Sequence, residues 1–242
     1  MASVSTAGPT TPAAAATLLV AYAATSALEV VGEVSETRAL IVVTKALLMP
    51  LLLAWLLLVA RRPLQRPLRA LALALVFAWL GDLALLGSDA TSFIVGMAMF
   101  LTMQVLYIRA FRLVPGPGLV RAWPLALVPY ALAWAVLAGA MLWHSGAAAL
   151  PGLVYGLALV AMAVSALDLV IRVRPQSAGW RVAAGAAAFV VSDGLIALVA
   201  FAGVPASEWL SALVMVTYVV AQAMIVTGLT RALSSQESAQ AV

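Results

Sequence analysis

Two aspartates sit where the sequence is otherwise oil. Asp82 lies in "LVFAWLGDLALLG" and Asp193 in "FVVSDGLIAL". A charge near the middle of a membrane-spanning helix costs about 2.5–3.5 kcal/mol on insertion scales, so each needs something to offset it. Other polar side chains in such surroundings are few: Glu29, Lys45, Gln104 and Gln222, with Tyr22, Tyr107, Tyr155 and Tyr218. Two carboxyls and an amine in a low-dielectric site suit three roles. They can act as a general acid and base, carry coupling charges in a transporter, or form a neutralised structural Lys–Asp pair. Metal chemistry lacks ligands, because the chain has no cysteine and one histidine, His144, in a predicted loop. No cofactor is expected.

The elements that position these residues follow from composition. The chain of 242 residues is 65% hydrophobic and 9% charged, with mean hydropathy +1.12, against about a quarter charged in soluble domains. Apolar runs of about 20 residues recur throughout, the length that crosses a hydrocarbon core of about 30 Å. The expected fold is an all-α polytopic membrane bundle of eight helices, over 13–32, 39–60, 69–87, 92–113, 122–143, 150–172, 179–203 and 209–232. Residues 13–232 then form one domain between disordered tails at 1–12 and 233–242. The polar N-terminus lacks the basic start of a cleaved signal peptide.

Arginines sort by connection. Arg61, Arg62, Arg66 and Arg69 lie between spans 2 and 3. Arg109, Arg112 and Arg121 flank the 4–5 connection, and Arg172, Arg174 and Arg181 lie around the 6–7 connection. The opposite connections hold Arg38 with Glu33, Glu36, Asp89 and Glu208. The positive-inside rule then places both termini in the cytoplasm of a multi-pass cell-membrane protein. The net charge of +4 therefore reports orientation rather than nucleic-acid binding.

Counting depth along each span at about 1.5 Å per residue brings polar groups from seven spans into one layer, between the midplane and the outer half. Tyr22, Ser26, Glu29 and Glu33 share a helical stripe, as do Gln104 with Tyr107 and Tyr218 with Gln222. Asp168 lies outside that layer and reads as an interface ion pair with Arg172 at i+4. Asp193 follows Asp82 by 111 residues, and Tyr218 follows Tyr107 by the same interval. "FAWLGDLALL" and "FVVSDGLIAL" are alike, which raises a candidate parallel repeat of four helices with the two aspartates facing across a pseudo-twofold axis.

Six segments carry a family likeness: "KALLMPLLL" (45–53), "FAWLGDLALL" (77–86), "FIVGMAMFLTMQVLYIRAF" (93–111), "LPGLVYGLALVAM" (150–162), "GAAAFVVSDGLIAL" (185–198) and "TYVVAQAMIVTGL" (217–229). In this order the chain resembles the YhhN family of eight-span membrane proteins, which includes lysoplasmalogenases. It departs from the family's pattern at Ala46, where the family usually has Pro after Lys, and at Gln104, where it usually has His. Any role that needs an imidazole at that position is missing here.

The resemblance implies hydrolysis of the vinyl-ether bond of lysoplasmalogen-type lysolipids to a fatty aldehyde and a glycerophospho head group. Vinyl ethers yield to acid: a proton adds to the β-carbon, an oxocarbenium ion forms, and water adds to give a hemiacetal that collapses. Two carboxylates suit this, as in glycosidases with a similar transition state. On this reading Asp82 and Asp193 are the acid/base pair, and Lys45 binds phosphate or keeps one Asp ionised. Tyr107, Tyr218, Gln104 and Gln222 orient water and the ether oxygen, with Glu29 and Tyr155 in support. The partners are a lysophospholipid substrate and bilayer lipids.

The main alternative is a lipid or small-molecule transporter or binding protein with a central Lys–Asp cluster. A retinal protein would carry its lysine on the last span. An intramembrane aspartyl protease would show Tyr-Asp and Gly-x-Gly-Asp, which are absent.

Overall fold

The computed structural model describes residues 10–60 and 63–240. The expected disordered tail at 1–9, residues Arg61 and Arg62, and positions 241–242 lie outside the described residues. Every regular element among those described is helical: α1 Thr10–Val34, α2 Arg38–Val59, α3 Arg66–Ala84, α4 Ala90–Arg112, α5 Leu119–Ala122, α6 Val128–Ser145, α7 Leu150–Leu167, α8 Leu169–Arg172, α9 Gln176–Phe201 and α10 Glu208–Gln240.

Among the described residues seven segments are long and apolar enough to cross a membrane, and one of them, Pro124–Arg172, is 49 residues long. That stretch holds α6 and α7, each 18 residues and about 27 Å long. A short 3₁₀ turn at Gly146–Ala149 separates them, and Gly146 adopts φ +52, a left-handed conformation that glycine reaches without a Cβ penalty. Span six was expected over 150–172, but the chain breaks at Asp168 into α7 and the single turn α8. The last helix runs to Gln240 rather than ending at 232, so 233–240 is helix and not a disordered tail. Its residues there (Leu233, Ser234, Ser235, Gln236) suit a helix, with no Gly or Pro to stop it.

Caps fix some starts. Asp89 precedes α4 and accepts from the Ser92 backbone N–H at 3.0 Å and its hydroxyl at 2.6 Å. These donors hold the Asp89 carboxyl below the usual carboxylate range. Asp168 accepts from the Val120 N–H at 3.0 Å and pairs with Arg172 at 3.2 Å, tying α5 to α8. The ion pair expected at i, i+4 is therefore present.

Packing is most extensive between α3 and α4 and between α9 and α10. Small residues permit it, since helices in lipid gain little from apolar contact alone and need close approach. A Cβ at Gly81 would lie 2.9 Å from the Phe100 ring, and one at Gly185 would lie 2.9 Å from Met224. Helix α10 also touches α1, α2 and α3, so the last helix in sequence is central in space.

Candidate functional site

Five helices bring the polar layer around one cavity of about 310 Å³. Glu33 enters from α1, Lys45 from α2, Asp82 from α3, Ser192 and Asp193 from α9, and Tyr218 from α10. The remaining wall is apolar, including Phe93, Phe100, Ile196 and Val214. A side chamber of about 50 Å³ shares Asp193, Phe93 and Phe100 with it and continues past Tyr155, Met97 and Phe201.

Each aspartate has its own hydrogen-bond donors. The Tyr218 hydroxyl donates to Asp82 Oδ2 at 2.9 Å. Asp193 Oδ2 takes the Tyr155 hydroxyl and Gln104 Nε2, the latter at 3.4 Å. Among the described residues no donor bonds to the second oxygen, Oδ1, of either carboxyl. The phenol that holds Asp82 is itself wedged between rings, edge-on to Phe100 at 6.0 Å and to Phe189 at 5.6 Å.

Lys45 does not pair with an aspartate, as both the catalytic and the purely structural readings of the sequence allowed. Its ammonium lies 3.2 Å from Glu29 Oε1 and 3.1 Å from Glu33 Oε1. Thr44 donates to Glu29, which is fully buried. The cause is the hairpin. Residues 35–37 reverse the chain, and α1 and α2 pack side by side. That register sets the stripe of Glu29 and Glu33 level with Thr44 and Lys45. The stripe and the short loop together were the sequence signal for this pairing. Glu33, Ser192, Ser207 and Ser211 are polar cavity residues that sequence reasoning left out of the candidate set.

Tyr107, Gln222 and Gln104, three of the expected site residues, stand behind the cavity wall. The Tyr107 hydroxyl donates to Gln222 Oε1, whose amide nitrogen reaches Met103 Sδ at 3.5 Å. All three side chains are fully buried and line neither chamber. Gln104, also fully buried, leaves Oε1 without a partner. Tyr22 donates to the Val219 carbonyl at 2.8 Å, fastening α1 to α10. Among the described residues no cluster of His, Cys, Asp and Glu could hold a metal ion.

Apolar helices of bilayer-crossing length around a cavity with two buried carboxyls define a polytopic helical membrane protein. The YhhN family model matches residues 40–229, most of the chain, and the protein belongs to the YhhN family. Comparisons with curated proteins and with solved structures gave no match. The matched range includes both aspartates and Lys45 but begins after Glu29 and Glu33.

Proposed function

We propose that this protein is a membrane-embedded hydrolase that cleaves the vinyl-ether bond of lysoplasmalogen-type lysolipids, with Asp82 and Asp193 as general acid and base. The observation that carries the reading is the shared cavity. Two carboxyls from different helices line it, each held through one oxygen and with the other oxygen unbonded. The family is associated with this activity, and the surroundings suit the chemistry.

Two donors on one oxygen favour a carboxylate anion, so Asp193 is assigned the ionised role and Asp82 the proton. Asp82 protonates the β-carbon of the vinyl ether, leaving an oxocarbenium ion that the Asp193 carboxylate stabilises. Asp193 takes a proton from water as the water oxygen bonds to the α-carbon. In the resulting hemiacetal the new hydroxyl gives its proton to Asp82 as the carbonyl forms, and the glycerol oxygen takes the proton held by Asp193 as its bond to the α-carbon breaks, so both carboxyls return to their starting states. The products are a fatty aldehyde and the glycerophospho alcohol. Lys45 lines the cavity while paired with Glu29 and Glu33, so its role here is to hold those carboxyls in place rather than to offer an unpaired charge to the phosphate. In the bilayer the protein crosses eight times, with both termini cytoplasmic and the lipid chain lying between helices.

The test is mass spectrometry of purified protein incubated with a 1-alkenyl lysolipid and its 1-alkyl and 1-acyl analogues. Aldehyde is expected from the alkenyl lipid alone. Asp82→Asn and Asp193→Asn should each lower its release by about 10²–10⁴-fold, the usual contribution of acid/base catalysis. Near-normal release from both variants would remove the pair from the mechanism. Protein-dependent uptake into vesicles without any product would favour a carrier instead.

A further inference from the structure

At the opposite end of α3 from Asp82 lies a second cleft, of about 430 Å³, lined by Arg66, Arg69, Ala70, Leu73, Leu106, Arg109 and Leu113. Arg66 stands 16 positions before Asp82 on the same helix, which puts the two about 24 Å apart. The cleft is therefore separate from the carboxyl site.

Its lining comes from one face of each of two neighbouring helices. Positions 66, 69, 70 and 73 follow helical spacing on α3, and positions 106 and 109 on α4 with 113 at its C-cap continue the same face. All three arginines are exposed, and among the described residues none of them pairs with a carboxylate. Arg69 donates through Nε to the Leu64 carbonyl at 2.7 Å, which fixes the side chain and leaves its terminal nitrogens free to bond elsewhere. Arg66 begins α3, where the helix dipole is already positive, and the first turn of α3 holds no acidic residue, so cationic charge accumulates there. The other part of the cleft is apolar. Leu73, 52% exposed, lies about 10 Å further along α3 than Arg66.

A cationic rim above an exposed leucine wall matches a phosphate attached to an acyl chain. Guanidinium groups bind phosphate through paired N–H donors, and basic clefts between helices at the membrane interface take anionic head groups. We infer that this cleft is a binding site for an anionic phospholipid. The phosphate sits among Arg66, Arg69 and Arg109, and one acyl chain lies along Leu73 and Leu106. Free phosphate would satisfy the rim but leave the leucine wall bare.

The experiment uses the full chain in detergent, with native mass spectrometry and thermal unfolding as readouts. The additives are phosphatidylglycerol, phosphatidylcholine and inorganic phosphate. Phosphatidylglycerol is expected to bind at least about tenfold more tightly than phosphatidylcholine and to raise the unfolding midpoint, with inorganic phosphate inert at equal concentration. The preference should disappear in R66Q/R69Q/R109Q and fall in each single Arg→Gln variant, while Arg181→Gln, outside the cleft, leaves it intact. If the triple variant does not fold, the single variants decide the matter. An equal loss with Arg181→Gln would show diffuse surface charge and overturn the site. Stabilisation by inorganic phosphate alone would overturn the lipid as its occupant.

Discussion

Lys45 shows what a single side chain can conceal in a sequence. Its cost in oil is readable, but its partners are not, since any of four carboxyls on three helices could neutralise it. In the structure it bridges Glu29 and Glu33. Removing one member of a buried ion pair leaves a charge without compensation and typically costs about 3–5 kcal/mol. Lys45→Met should therefore destabilise the protein by about that amount, because Glu29 is fully buried. Replacing both partners, as Lys45→Met with Glu29→Leu, should recover much of the loss. Equilibrium unfolding of the two variants in the same detergent checks this. Had Lys45 been paired to Asp82, the recovery would not occur. The aspartates were legible for the same reason the lysine was: an acid in a run of Leu, Ala and Val has to be offset somehow. The mutual bond between Tyr107 and Gln222 was not legible. Helical spacing puts Tyr107 and Gln104 on one face but does not say which of them looks into a cavity and which looks into a neighbouring helix.

At the scale of elements, apolar length located the helices well, because hydrocarbon thickness fixes how many residues a span needs. It located ends less well where ends depend on local geometry. The break at Asp168 arises from a carboxyl that serves a connection and an arginine at once, and α10 continues past 232 because nothing in its sequence ends it. The pairing of α3 with α4 follows from Gly81, whose missing side chain leaves room for the Phe100 ring. Phe100 in turn supports the Tyr218 phenol that bonds Asp82. Gly81→Ala should cost about 1–3 kcal/mol of stability through overpacking. It should also lower aldehyde release more than stability loss explains, by moving Phe100 and with it Tyr218. The comparison is turnover per folded molecule for Gly81→Ala against Gly139→Ala, a position where an added Cβ meets nothing within 4 Å. Equal turnover in the two would separate Gly81 packing from the site.

Across the whole molecule, polar bonds join the early part of the chain to the late part. Tyr22 reaches Val219, Asp82 takes Tyr218, Gln104 reaches Asp193, and Tyr107 meets Gln222. These contacts do not repeat at the 111-residue interval that the sequence displays. The counterpart of Gln104 is Met215 and that of Gln222 is Phe111, so the two halves differ in their polar chemistry whatever their origin. A chain ending at residue 206 should accumulate poorly and be cut readily by protease, since Asp82, Tyr107 and Tyr22 lose their partners. Residues 207–242 supplied as a separate chain should restore a folded protein. Protease resistance of the truncated chain, with and without the second chain, measures this.

The late position of α10 also sets a timetable. Asp82 and Tyr218 are 136 residues apart, which at about 5–20 residues per second of synthesis is roughly 7–27 s. Until α10 is made, the first four helices hold a carboxyl, Asp82, and two phenols, Tyr22 and Tyr107, in the bilayer without their final partners. A nascent chain in that condition is the form most exposed to membrane proteases and insertion chaperones. Slowing translation after α9 should therefore reduce the yield of this protein far more than slowing it before α3.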